Sequence, residues 1–444
     1  MTGSATPLPG ESHRPERYPW PVAEPKRREA PTEAQGVLDM VVFAYVESGD
    51  FNGLRVDATT FSEHQLEDTR RLVAAGFLQV VSEQDYPNPH IRPWASRRTR
   101  EDQIADLGRG GDGGTVCLYP TSEAMEGRPE LLRWPNEPYR QRLAAGAGTL
   151  ELAYFSVDVI EQYRNDPRYH YYFGDFEVRF GIGDEAYLDK REREADKIHS
   201  LRVGFAYDRT TIRANAVARY TCAFIGDLAD LTAEHQQRWR TYEVDPNEDT
   251  GPHPVWWAMQ MGHWPDGIGP FQRVVGEIRA INELFQLIAG RDLFKTSEPP
   301  REWGWVLRSS TSEWHQFLLA TDKLISENID HAVLTTLKVD RKNPDGTDAG
   351  SLNRLAWFLR DSTPCTDELV AQIVMPLKRV RKERQKPAHA LVVAATDATL
   401  TAQQRDLLSE VGGALHLLRE VLATHPDAGG WDVPTYLPET GYLI

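Results

Sequence analysis

Four long amphipathic patterns in the C-terminal part of the chain restrict its fold more than any other feature of the sequence. Apolar residues recur in each at every third or fourth position, which predicts a helix that buries one face. The patterns cover residues 274–288, 314–325, 369–380 and 407–422, and a shorter one covers 352–359. Because each apolar stripe needs another to cover it, we predict an all-α helical bundle over residues 271–426.

The rest of the chain is too long to belong to the same core. A single hydrophobic core stops growing at roughly 250–300 residues, and this chain has 444. Short runs rich in aromatic and β-branched residues alternate with polar turns over residues 129–250, which predicts an α+β middle domain. We therefore predict an α+β multidomain protein. Its connecting segments are a flexible tail over 1–31, a linker over 251–270 and a C-terminal tail over 427–444.

The segment from residue 32 to residue 128 has the pattern of two helices followed by a pair of strands. The helices are predicted to begin behind Thr32 and Ser62, and Gly76 is the expected C-cap of the second helix. The strands FLQVV and TVCLY enclose a polar, glycine-rich excursion. This order resembles a winged helix-turn-helix domain, and the resemblance implies that residues 32–128 bind DNA or dock a protein partner.

Three arginines in that excursion, Arg97, Arg98 and Arg100, are the candidate nucleic-acid-binding residues of the N-terminal domain. Arginine side chains bind a DNA backbone through its phosphates. The alternative is a solvated loop on a scaffold or dimerisation module that makes no contact with DNA.

The composition and the missing motifs argue against several classes of protein. A formal charge of −16 argues against a protein that coats nucleic acid with its whole surface, and no apolar run reaches the ~18–20 residues of a membrane span. The first thirty residues lack the apolar core of a signal peptide, so we expect a cytoplasmic protein. The three cysteines form no CxxC, and no P-loop, Rossmann, HExxH or GxSxG motif occurs. We therefore predict no metal site, no cofactor and no membrane partner.

The third amphipathic helix ends in a basic stretch, LKRVRKERQKPAH. At roughly 100° per residue around the helix axis, Lys378, Lys382 and Lys386 project away from the apolar stripe towards water. Arg384 instead projects into the middle of the stripe, and Arg381 lies near its edge. An inward guanidinium is costly unless a partner or a cleft receives it. Arg384 therefore requires an explanation that the lysines do not.

Pro387 ends this helix within a residue or two, and His389 follows where the chain turns. An Arg and a His at this spacing near the end of a bundle helix resemble the R-x4-6-H motif of the HEPN superfamily. These domains are small helical bundles, and many are ribonucleases of toxin and antiviral systems or of RNA surveillance. In the present motif, Gln385 stands where Asn, Asp or His is more usual, and Pro387 interrupts a helix that is often continuous.

The resemblance implies a metal-independent endoribonuclease, acting as a toxin or antiviral-defence effector, with Arg384 and His389 as its catalytic residues. The arginine would hold the scissile phosphate and its growing charge, and the histidine would move a proton near neutral pH. RNA would then be the substrate. Its backbone would be guided by the basic residues around the motif, namely Lys378, Arg381, Lys382 and Lys386.

The family resemblance also implies an acidic side chain that pairs with the arginine and a second copy of the chain that pairs with the first. An acidic residue is often present on an earlier helix, and Asp322 and Glu327 on the second helix are both candidates here. Two protomers of the family join their motifs across a two-fold axis, which implies a homodimer. The seven-residue spacing of Leu408, Leu415 and Leu422 on the fourth helix supports pairing of two chains.

Two non-enzymatic interpretations stay open. The first is an adaptor that binds nucleic acid or a protein partner and carries an inactive bundle, and the second is a transcriptional regulator whose bundle only dimerises. Gln385 and Pro387 favour the adaptor, whereas the inward direction of Arg384 favours the ribonuclease.

Overall fold

The computed structural model describes residues 29–56, 61–108, 114–182, 198, 201–208, 220–264, 267–385 and 395–437. Over these ranges the chain is a mixed α/β protein with 15 α-helices, two antiparallel sheets and a helical C-terminal region. None of the helices described is both long and apolar enough to cross a membrane. Residues 1–28 of the tail predicted for residues 1–31 lie outside the described residues.

The N-terminal part consists of three helices on a three-stranded sheet. Its elements are α1 Gln35–Glu47, β1 Leu54–Val56, α2 Glu63–Ala75, β2 Leu78–Ser82, α3 Arg100–Leu107 and β3 Val116–Pro120. The strands lie in the order β1-β3-β2, and the predicted strand pair is confirmed as β2 and β3. Helix α2 begins behind Ser62 and ends at Gly76, as the sequence predicts; Ser62 forms a capping box with Gln65, and the φ of Gly76 is +86°. Thr32, in contrast, lies in a 3₁₀ turn and does not cap α1.

Helix α3 and strand β1 are not predicted by the sequence pattern. Helix α3 forms inside the polar excursion because Thr99 caps it, accepting from the backbone N–H of Asp102 at 3.2 Å. It docks on β2 through a side chain, since Oε1 of Gln103 accepts from the N–H of Val80 at 2.9 Å. Polar contacts of this kind leave no apolar period in a sequence.

The middle part is a seven-stranded antiparallel sheet with short helices around it. Its elements are α4 Ser122–Met125, α5 Pro138–Ala144, β4 Leu152–Ser156, α6 Asp158–Asn165, β5 His170–Phe173, β6 Glu177–Gly181, β7 Leu201–Asp208, β8 Tyr220–Phe224, α7 Ile225–Ala229, α8 Ala233–Thr241, β9 Glu243–Val244 and β10 Thr250–Pro252. The strand order is β5-β6-β7-β8-β4-β9, and β10 pairs with β7. Buried apolar residues from Ala34 to Trp239 form one continuous core. The boundary predicted at residue 128 therefore does not separate two cores.

The segment predicted as a linker over 251–270 is packed structure. It contains helix α9 Pro254–Gln260, and Trp256 of that helix is fully buried. The indole lies against Phe224 and fills the space above Gly204, where an added Cβ would come within 2.5 Å of the Trp256 ring. The proline and glycine content of this segment predicts an unpacked linker, but the buried Trp256 packs the segment against the sheet.

The C-terminal bundle has a second core of its own. Its helices are α10 Pro270–Ala289, α11 Thr311–Asp322, α12 His331–Thr336, α13 Ser351–Ser362, α14 Asp367–Gln385 and α15 Leu400–Ala423. The predicted stripe of α14 is confirmed, because Ile373, Leu377 and Val380 are fully buried. The helical C-terminal region therefore agrees with the amphipathic periods of the sequence.

Two expectations about the end of the chain need correction. The positions Leu408, Leu415 and Leu422 are buried inside the chain, where α15 packs along α10 and α14, so this stripe is not left over for a second copy. The predicted C-terminal tail packs on the bundle as far as residue 437. The hydroxyl of Tyr436 donates to Glu283 at 2.7 Å, and the side chain of Leu437 occupies the space beside Gly276.

Candidate functional site

Arg384 lies in the last turn of α14 and points inwards, as its angular position predicts. Its Nη1 donates to Oδ2 of Asp322 at 2.5 Å and to Oε1 of Glu327 at 2.6 Å. These hydrogen bonds raise the pKa of Arg384. The sequence leaves Asp322 and Glu327 as alternatives, and the structure brings both to the same nitrogen. The side chain of Arg384 stays 35% exposed, so the site is open to solvent on one side.

A π-helical turn explains how two acids five residues apart reach one nitrogen. Residues Lys323–Glu327 form this turn directly after Asp322, the last residue of α11. In an α-helix, residues five apart point about 140° away from each other. A π-turn bonds residue i to residue i+5, which stacks them on one face, and such turns are frequent at functional sites.

Asp322 is the buried centre of the cluster. Its side chain is 0% exposed, and Oδ1 accepts from the Ser326 hydroxyl at 2.6 Å and lies 3.4 Å from Nε of Arg381. A buried carboxylate is tolerated when cations and hydrogen bonds surround it. The two negative charges of Asp322 and Glu327 balance the two positive charges of Arg381 and Arg384. The four groups therefore form a formally neutral cluster that joins α14 to the end of α11.

The remaining basic residues predicted around the motif have different surroundings. Lys382 is exposed, as predicted, whereas Lys378 is half-buried. Burial, followed by the nearby charge of Arg360, lowers the pKa of Lys378. Lys386 and His389 lie outside the described residues.

Other elements complete the site with residues that sequence reasoning did not select. Nζ of Lys295 donates to the carbonyl oxygen of Glu327 at 3.0 Å. The Ser351 hydroxyl, at the start of α13, donates to the carbonyl oxygen of Ser326 at 2.7 Å and so satisfies an acceptor of the π-turn. His331 begins α12 four residues after Glu327. No local pattern marks these residues, since tertiary packing alone brings Lys295 and Ser351 to the backbone of the π-turn. Across the described ranges, no three His, Cys, Asp or Glu side chains come together as metal ligands could.

The arginines predicted to bind DNA in the N-terminal part are not equivalent. Arg97 is exposed. Arg98 instead forms an ion pair with the buried Asp106 and lies 3.5 Å from Asp85. Nη1 of Arg100 donates to the carbonyl oxygen of Ala74 at 3.0 Å, which caps the end of α2. The guanidinium groups of Arg98 and Arg100 thus make contacts within the N-terminal part, and DNA binding by the three arginines stays a prediction.

We expect Arg98→Ala to lower the free energy of unfolding by about 2 kcal/mol, because it removes the cation that faces a buried carboxylate. Arg97→Ala removes an exposed side chain of the same type one residue earlier. It should change the free energy of unfolding by less than about 0.5 kcal/mol. Urea denaturation of both variants measures the difference. Equal effects would contradict the structural role assigned to Arg98.

No family model, no curated protein and no solved structure matches this chain.

Proposed function

We propose that the end of helix α14 is the centre of a metal-independent endoribonuclease of the HEPN type, with Arg384 and His389 as its catalytic residues. The observation that supports this most is the inward guanidinium of Arg384. Two carboxylates hold it in a fixed position, it is still open to solvent, and it stands five residues before a histidine.

The geometry of Arg384 suits the binding of a phosphate. Among the described residues, its carboxylate partners both contact Nη1, so the edge formed by Nε and Nη2 faces no described acceptor. Two parallel N–H donors on one edge are what a phosphate accepts in a bidentate contact. Asp322 and Glu327 would then fix the orientation of the guanidinium, since a preorganised donor stabilises developing charge better than a mobile one.

The proposed reaction is an attack of the 2′-hydroxyl of RNA on the adjacent phosphorus. The 2′-oxygen forms a bond to phosphorus, the bond from phosphorus to the 5′-oxygen breaks, and the products are a 2′,3′-cyclic phosphate and a 5′-hydroxyl. One proton leaves the 2′-hydroxyl and one reaches the 5′-oxygen, and histidine is suited to such transfers near neutral pH. The basic side chains around the motif would hold the backbone of the RNA on either side, and these are Lys378, Arg381, Lys382 and Lys386.

We also propose that the active form is a homodimer in the cytoplasm, as the family resemblance implies, and that the chain acts as a toxin or antiviral-defence effector. The dimer must use a surface other than the Leu408, Leu415 and Leu422 stripe, because α15 buries that stripe within its own chain.

The purified chain is expected to cleave single-stranded RNA in the presence of EDTA and to leave 2′,3′-cyclic phosphate ends. Attack by the 2′-hydroxyl predicts that RNA with 2′-O-methyl groups throughout stays intact under the same conditions. Gel electrophoresis of end-labelled RNA, followed by mass spectrometry of the fragments, measures both. Fragments with 3′-hydroxyl ends, or cleavage of the 2′-O-methyl RNA, would contradict the proposed chemistry.

A second candidate function is an adaptor that binds nucleic acid or a protein partner and carries an inactive bundle. The ion pairs at the end of α14 favour this adaptor. The positive charges of Arg381 and Arg384 are balanced by Asp322 and Glu327, and such a neutral cluster can serve only to hold α14 against α11. In that function the N-terminal part, as a winged-helix-like module with the exposed Arg97, would supply the docking surface for DNA or a protein. An adaptor would bind RNA or DNA and leave it uncut in the assay above.

A further inference from the structure

Arg354 on helix α13 is a buried arginine whose acceptors among the described residues are carbonyl oxygens, a hydroxyl and an imidazole nitrogen. Its side chain is 2% exposed. Nε donates to the carbonyl oxygen of Asp340 at 3.0 Å, and Nη2 donates to Oγ1 of Thr335 at 3.0 Å and to the carbonyl oxygen of Val339 at 3.1 Å. Nη1 donates to the carbonyl oxygen of His331 at 3.0 Å and contacts Nδ1 of its ring at 3.1 Å. All five N–H groups of this guanidinium therefore have acceptors.

The contact with Arg354 determines the state of the His331 ring. A guanidinium only donates, so Nδ1 of His331 must accept, and the ring proton must lie on Nε2. A second proton on Nδ1 would face the guanidinium directly. Burial lowers the pKa of His331, and so do the charges of Arg354, Lys295 and Arg381, against the opposing charge of Asp330. His331 is thus an uncharged imidazole that presents one outward N–H donor.

Contacts of helix α13 place His331 near the Arg384 cluster, because Ser351 donates to Ser326 of the π-turn and Arg354, three residues later, donates to His331. His331 is exposed and stands four residues after Glu327, which accepts from Arg384. Arg381 is a member of the cluster through Asp322, and Lys295 donates to the backbone of Glu327, so two of the three cations that lower the pKa of His331 belong to the cluster or contact it. An anionic chain bound at Arg384 would have the lysine, the second arginine and the imidazole donor next to it.

We propose that His331 is a further RNA-binding residue, whose Nε2–H donates to a phosphate or ribose oxygen of the nucleotide adjacent to the one held by Arg384. This inference rests on the proposed function, because it takes RNA as the ligand of the site. Arg354 is the positioning residue, since its donor fixes both the tautomer and the direction of the ring. A neutral donor adds hydrogen-bonding geometry at a place where Lys295 and Arg381 already supply the charge.

Two substitutions separate the binding role from a purely structural one. His331→Asn ends the side chain near the position of Nδ1, so its amide oxygen still accepts from Arg354 while the outward donor is lost. His331→Gln reaches the position of Nε2, so its amide nitrogen keeps the outward donor while the acceptor for Arg354 is lost. The probe is a fluorescein-labelled, single-stranded 2′-O-methyl RNA, which cannot be cut through a 2′-hydroxyl.

Fluorescence anisotropy is expected to show about tenfold weaker RNA binding for His331→Asn, as for one lost hydrogen bond to a charged acceptor. Its urea midpoint should equal that of the wild type. His331→Gln should bind within about threefold of the wild type and unfold at lower urea. Wild-type affinity of His331→Asn, equal weakening by both variants, or a wild-type protein that does not bind the RNA would each overturn the inference. Absence of cleavage of unmodified RNA would instead count against the nuclease, because binding of the probe does not depend on it.

Discussion

Arg384→Ala is expected to reduce metal-independent RNA cleavage by at least roughly 100-fold, the effect of removing one fixed donor from developing negative charge. The free energy of unfolding should change by only about 1 kcal/mol. Asp322 would still have Arg381 and Ser326 as partners, and Glu327 is exposed enough to turn to water. Cleavage of end-labelled RNA in EDTA and urea denaturation, measured on the same samples, test the two parts of this prediction.

Arg379→Ala is the matched control for that variant. Arg379 lies on the same helix, is exposed, and contacts both carboxylate oxygens of Glu410 at 2.6 Å. It therefore resembles Arg384 in residue type and ion pairing but stands outside the cluster. Its removal should leave cleavage within about threefold of the wild-type rate, as for a peripheral charge that only steers RNA. Equal losses in Arg379→Ala and Arg384→Ala would show that the helix acts through general charge alone.

Asp322→Ala is expected to have the largest effect on stability, a loss of about 3–5 kcal/mol in the free energy of unfolding. The carboxylate is fully buried and receives two guanidinium groups and a hydroxyl, so its removal leaves Ser326, Arg381 and Arg384 without their shared acceptor. Glu327→Ala removes the other acid that contacts Arg384, at 2.6 Å, from a position that is 44% exposed. It should cost less than about 1 kcal/mol. Urea denaturation of both variants measures the contrast.

The double variant Asp322→Ala with Arg384→Ala tests whether the two residues act together. Groups in one ion-pair cluster couple by about 0.5–3 kcal/mol, so the double variant should lose less stability than the two single variants combined. Additive losses, or an effect of Asp322→Ala no larger than that of Glu327→Ala, would contradict the central place assigned to Asp322.

Helical periodicity predicts the half of the site that lies on one element. The direction of Arg384 follows from the 3.6-residue period of α14, because Ile373, Leu377 and Val380 define the buried face within the same helix. Periodicity cannot show that both Asp322 and Glu327 contact Arg384. That shared contact depends on the π-turn, for which the segment KLISE contains no local signal, and on the packing of α11 against α14.

Periodicity also leaves open which surface covers an apolar stripe. The spacing of Leu408, Leu415 and Leu422 is that of a seam between helices, and α10 and α14 of the same chain occupy it. A sequence pattern shows that a partner is needed without showing whether the partner belongs to the same chain or to another.

Composition predicts a loose connection, whereas the structure has packed segments, where large aromatic residues lie among prolines and glycines. Trp256 fixes the segment predicted as a linker, and Tyr436 fixes part of the predicted C-terminal tail. The polar excursion around Arg98 predicts a surface cation, whereas its partner Asp106 lies on α3, a helix stabilised by caps and polar contacts that an apolar period does not reveal. In each case a single tertiary contact decides the structure of a segment whose average composition indicates a loop.

The cleavage rate of His389→Ala in EDTA tests most directly whether Arg384 and His389 form one catalytic site. Loss of the group that moves the proton should slow cleavage by at least roughly 100-fold. His90→Ala, which removes an exposed histidine from the N-terminal part, is the control and should cleave at the wild-type rate. Cleavage by His389→Ala that is as fast as cleavage by the wild type would contradict the assignment of the ribonuclease to these residues.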